Sequence, residues 1–99
     1  MNSKQRAYLK GLAMTMEPIL QIGKSSITPE FTEAVSEALE ARELIKINVL
    51  KNCADDGKEL AAVLAERTRS QVVQVIGRRI VLYRPAKEEK KRKIILPEK

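Results

Sequence analysis

The spacing of hydrophobic residues changes several times along this chain, and each change marks a predicted element. From Phe31, the apolar residues Ala34, Val35, Ala38 and Leu39 recur at the spacing of one helical face. The start of that helix is clearly signalled. Thr28 is a good N-cap, Pro29 suits the first helical position, and Glu30 suits the positive end of the helix dipole. From Leu44 to Leu50, Ile45, Ile47 and Val49 alternate with Lys46 and Asn48, the pattern of a strand. Asp56 and Glu59 have capping-box spacing, and the helix they open carries Leu60, Ala61, Val63 and Leu64 to about Thr68. Gln71–Ile76 and Arg79–Tyr83 are β-rich runs split by Gly77-Arg78, which suits a two-residue type II′ hairpin turn.

Two weaker elements come first. Ser3–Met14 reads as a helix capped by Asn2 or Ser3, with Leu9, Leu12 and Ala13 as its apolar stripe. Pro18 ends that pattern, and Ile19-Leu20-Gln21-Ile22 is a short strand candidate. The order is therefore α-β-α-β-α-β-β. It implies an α/β fold with a mixed sheet: alternating strands and helices give parallel pairing, and the last hairpin adds an antiparallel pair. Residues 1–85 form the expected domain. Residues 86–99 form a basic tail, with a charged stretch read as an exposed arm and Ile94-Ile95-Leu96 read as a docking point.

A length of 99 residues bounds the chain to one domain. Histidine is absent, which removes the commonest general base and the commonest metal ligand. No nucleophile-and-base group or metal cage is visible, so neither an enzyme nor a cofactor is expected. Cys53 is the single cysteine and fits a reducing, cytoplasmic setting. The N-terminal residues lack a signal-peptide core, and no apolar run approaches the roughly 20 residues of a membrane helix.

The net charge is +6, and its placement is uneven. Residues 26–84 hold equal numbers of basic and acidic side chains, so the excess lies at the two ends. Such an excess points to a polyphosphate partner. Two sets of residues are candidates for contacting it. One is the loop Gly23-Lys24-Ser25-Ser26 leading to Thr28. A helix N-terminus offers unpaired N–H groups, Gly23 has no Cβ, and Lys24 adds a mobile charge. The same residues also describe an ordinary strand-to-helix turn, and the loop is too short for a Walker-type phosphate loop. The other set is Lys4, Arg6 and Lys10 on the first helix, Arg78, Arg79 and Arg84 around the last hairpin, and the Lys87–Lys93 tail. If the ends meet in space, these form a positive face opposite the acidic stripe of Glu33, Glu37 and Glu40. That stripe reads as solvated surface. Few aromatics are present: Tyr8 and Tyr83 are stacking candidates, and Phe31 belongs to the core, so backbone recognition is favoured over base reading.

Several segments resemble the bacterial single-domain CRM proteins of the YhbY type, named for chloroplast RNA splicing and ribosome maturation. They are Leu9-Lys10-Gly11-Leu12-Ala13, the loop from Gly23, Ala38 to Ile47, and Val73-Gln74-Val75-Ile76-Gly77-Arg78-Arg79-Ile80-Val81-Leu82-Tyr83-Arg84-Pro85. The resemblance implies a four-stranded α/β domain similar to the C-terminal domain of the third translation initiation factor. It implies RNA as partner, namely large-subunit ribosomal RNA and pre-ribosomal particles. It also implies a G-x-x-G loop comparable to that of KH domains. Here that loop maps onto Gly23–Ser26, with Ser26 in place of the second glycine. Such a loop is either less open, or it replaces close backbone approach with a hydroxyl contact. A monomeric RNA-binding protein is the main expectation. A module docking a ribosomal protein or assembly factor is the alternative, and DNA binding would share the same charge argument.

Overall fold

A computed structural model describes residues 1–98, so Lys99 of the expected tail lies outside the described residues. The elements follow the expected order: α1 (Ser3–Ala13), β1 (Leu20–Ile22), α2 (Pro29–Arg42), β2 (Leu44–Val49), α3 (Gly57–Thr68), β3 (Gln71–Ile76) and β4 (Arg79–Tyr83). A single 3₁₀ turn, Glu89–Lys91, follows them. The helix starts obey local chemistry. Asn2 accepts from the Gln5 N–H and Gln5 returns the bond to the Asn2 N–H, a full capping box. Thr28 caps α2 through its hydroxyl. Asp56 stands at the N-cap of α3, but its side chain makes no capping bond, so the box expected with Glu59 does not form. Strand β2 stops at Val49 because the Leu50 carbonyl accepts from the Cys53 N–H, which turns the chain away.

The four strands lie in the order β1-β2-β4-β3, with β1 parallel to β2 and the other pairs antiparallel. Ile76 pairs with Arg79, which leaves Gly77-Arg78 as the two-residue turn. Gly77 has φ +55 and Arg78 has no positive φ, the sign pattern of a type II′ turn. The alternation seen in the sequence sends side chains to two covered faces. On one, Ile45, Ile47, Ile80 and Leu82 meet Val35 and Leu39 of α2 and Leu60 and Leu64 of α3. On the other, Leu44, Val73, Val81 and Tyr83 meet Leu9 and Ala13 of α1. Ile94 and Leu96 of the C-terminal segment pack on this second cluster with Met1 and Met16. The Gln5 amide also donates to the Pro97 carbonyl at 3.1 Å, so the two ends of the chain meet.

Glu43 organises this end of the molecule. It is the only residue between α2 and β2, and it makes the turn with φ +67, a conformation that is costly for a side chain with a Cβ. Its backbone is used at both ends: the N–H donates to Leu39, and the carbonyl accepts from Arg84. Its carboxylate is 0% exposed and accepts from the Ala86, Lys93 and Ile94 N–H groups at 2.8, 2.6 and 2.9 Å. Burial alone would push this carboxyl up. The three N–H donors and the charge of Arg92 outweigh burial and hold it below the usual carboxylate range.

Candidate nucleic-acid interface

The loop after β1 is a tight turn in which the Ser26 N–H donates to the Gly23 carbonyl at 3.0 Å. Ser26 takes φ +57, so the left-handed position falls where the family pattern has its second glycine. The Ser26 hydroxyl donates to the Asp55 carboxylate, which occupies it within the protein. Gly23 needs its lack of side chain less: a Cβ there would make ordinary contact with Leu50 and Asn52. Lys24 and Ser25 are exposed at the tip.

The start of α2 has little left to offer an anion. Pro29 has no N–H, the Phe31 N–H is bonded to the Thr28 hydroxyl at 3.1 Å, and the Thr32 N–H to the Thr28 carbonyl at 2.9 Å. The Glu30 N–H remains, beside its own carboxylate. The expected phosphate grip by Ser26, Thr28 and the helix N-terminus therefore contracts to Lys24, Ser25 and the turn backbone.

The hairpin turn lies against this loop. Arg78 donates to the Leu50 carbonyl at 3.1 Å, and Leu50 and Asn52 border Gly23. Arg79 donates to the Asn48 side chain at 3.1 Å, and both residues point to the α1 side of the sheet. Lys46 stands two pairs further along β2, on the same face and opposite Val81. Lys46, Arg79 and Lys10 of α1 line one groove. Lys24, Arg78, Arg79, Lys46 and Lys10 thus mark a continuous line from the loop across the sheet to α1. Lys46 had a signal in the sequence, as a polar residue in the alternation of β2, but only the register shows that it stands near Arg79.

Three other expected contacts have structural duties instead. Arg84 is only 8% exposed. Its guanidinium donates to the Thr68 and Ser36 carbonyls, both at 2.8 Å, and to the Ser36 hydroxyl at 3.1 Å, and it pairs with Glu40 at 3.8 Å. It ties α2, α3 and β4 together, and little of it is left to solvent. Arg6 turns its guanidinium onto the Val72 and Val73 carbonyls of β3. Tyr83 is buried, so it offers no stacking surface, whereas Tyr8 is exposed. Lys4 stays exposed on α1.

The acidic stripe also differs from expectation. Glu33 and Glu37 are exposed, but Glu40 accepts from the Lys87 and Glu88 N–H groups and pairs with Arg84. The Lys87 bond leads the influences that hold its carboxyl below the usual range. With Glu43, it fixes the start of the segment that the sequence suggested was a free arm. Among the described residues, no group of His, Cys, Asp and Glu could hold a metal ion. Among the same residues, no helix is long and apolar enough to cross a membrane.

Comparison with known proteins agrees with this architecture. Residues 1–84 match the CRS1 / YhbY (CRM) domain model. The Bacillus subtilis protein named "Probable RNA-binding protein YqeI" is 44% identical over 91% of this chain and 94% of its own length. An "RNA-binding protein" of Haemophilus influenzae is 33% identical over 100% of this chain and 97% of its own. The solution structure of the hypothetical protein SAV1595 from Staphylococcus aureus superposes with a TM-score of 0.78 at 49% identity, covering 98% of this chain and 99% of that one. The family model spans both the loop and the hairpin that carry the line of cations, and on these matches the chain belongs to the CRS1/YhbY (CRM) domain family.

Proposed function

We propose that this protein binds RNA by its phosphate backbone, and that the RNA is that of the large ribosomal subunit or its precursor during assembly. The observation that carries the RNA reading is the line Lys24, Arg78, Arg79, Lys46 and Lys10. None of these cations is in an ion pair among the described residues, where the one salt bridge joins Arg84 to Glu40. Unpaired charges on one continuous surface are what counterion release from a nucleic acid requires. The names of the relatives support RNA as the polymer. The ribosomal assignment rests on the family resemblance.

Lys24→Glu tests this reading. The side chain is exposed, so the variant is expected to fold and melt as the parent does. Its affinity for structured RNA should fall, and it should no longer sediment with large-subunit precursors. Unchanged RNA binding would remove the loop from the interface. Crosslinking in cells tests the ribosomal part, with crosslinks expected on large-subunit RNA; crosslinks confined to other RNAs would exclude it.

A further inference from the structure

Helix α1 covers only part of its sheet face. Leu9 and Ala13 seat on Leu44, Val73, Val81 and Tyr83. Beyond that contact, the helix and the sheet diverge around a groove of about 580 Å³. Its walls include Met14, which is 80% exposed, and Ile76, which is 61% exposed. Large apolar side chains held open at a concavity are a common mark of a ligand site. The cations of the groove are Lys10, Lys46 and Arg79, and among the described residues no carboxylate lines it. Gln74 adds an amide that can both donate and accept.

We propose that this groove receives one unstacked base of a looped or single-stranded RNA, resting on the RNA reading above. A base has two apolar faces, a polar edge and a phosphate on either side. The groove offers apolar walls, one amide for the edge and three cations for the phosphates. It continues the line of charge that starts at Lys24, so a strand following the cations passes over it. An acidic peptide would share the charges, but apolar walls and one amide set among the cations match the faces, edge and flanking phosphates of a base. The occupant adds base contact to a surface otherwise suited to backbone alone.

The test compares two RNAs of equal charge, a hairpin with an unpaired loop and a blunt duplex, against two variants of the full chain. Met14→Ser with Ile76→Ser strips apolar wall from exposed positions and leaves every charge in place. Gly11→Leu plugs the groove from the α1 side. Gly11 lines the groove, and a Cβ on it would meet nothing within 4 Å. Leucine is also the better helix former, so this variant should melt higher than the parent. Both variants should bind the hairpin about five- to tenfold more weakly, the scale of one lost base contact, and the duplex as the parent does. A parent that does not prefer the hairpin overturns the proposal, as does an equal loss on both RNAs or no loss at all. In those cases Lys24→Glu still weakens binding if the RNA reading holds. If Lys24→Glu is also silent, the loop leaves the interface, and the RNA reading itself falls only if the parent binds neither RNA. Displacement of the hairpin by an acidic peptide that binds the parent more tightly than RNA would assign the groove to a protein partner.

Discussion

Strand β4 has an arginine at its start and another just after its end, and the two have opposite fates. Arg79, beside the hairpin turn, makes one hydrogen bond to an exposed amide and keeps its charge toward solvent. Arg84 is buried under backbone carbonyls of α2 and α3 and a glutamate. The same contrast holds for the ends of the sheet they mark. At the Arg84 end, the carboxylates of Glu40 and Glu43 take up backbone N–H groups of residues 86–94, and charge is spent internally on fixing the chain. At the Arg79 end, the cations form no ion pair among the described residues, although Asp55 and Asp56 line a pocket with Arg78. Basic character in the sequence therefore divides into a structural half and an accessible half. The division follows from which residues have acceptors within reach, not from how many cations each end carries.

Substitutions can sharpen or break this comparison. Glu43→Ala should have the largest effect, a loss of roughly 3–5 kcal/mol in chemical unfolding, because it leaves three N–H donors without their acceptor. Hydrogen exchange should speed first at Ala86, Lys93 and Ile94, while the folded variant keeps its RNA affinity. Because the Glu43 carboxyl is depressed in the folded state, its stabilisation is complete above the ordinary glutamate value of about 4.3 and fades as pH falls through the lower folded value. Glu43→Gln should flatten that acid decline in a pH series of melts; an unchanged decline would place the acid sensitivity elsewhere.

Arg84→Gln comes next, with about 2 kcal/mol of stability lost and no change in the salt dependence of RNA binding. Arg79→Gln and Lys46→Gln should do the reverse. Each is expected to leave stability within about 0.5 kcal/mol and to lower the log–log salt slope by about 0.7–0.9, one phosphate contact. A changed slope for Arg84→Gln, or an unchanged one for Arg79→Gln, would break the division. Ser26→Gly should have the smallest effect. Relief of the left-handed backbone, about 1 kcal/mol, is set against loss of the Asp55 hydrogen bond of similar size, so the melting point should barely move.

The fold was legible because its signals are local and periodic. The alternation of β2, the stripe of α2 and the Gly77-Arg78 turn each specify an element without reference to the rest of the chain. The loop could be located by its glycine and its helix cap. Its chemistry could not, because the Thr28 and Ser26 hydroxyls are already bonded, Ser26 to an Asp55 far along the chain. Glu43 gave no sign of its role: it sat in a helix-like run, and its partners lie 43 to 51 residues away. Arg84 and Arg79 are indistinguishable as letters. Only the register and the packing of α2 and α3 separate them.

The bond from Arg6 to the carbonyls of β3 has a consequence for how copies of this protein behave toward one another. An outer strand with free carbonyls is a template on which another chain can build. Here one guanidinium covers two such carbonyls beside the irregularity between Val72 and Gln74, and the opposite outer strand is only three residues long. The sheet thus presents neither margin as a long regular ladder. A concentrated solution should resist strand-by-strand aggregation, and Arg6, which was expected to serve a partner, is instead bonded to its own sheet.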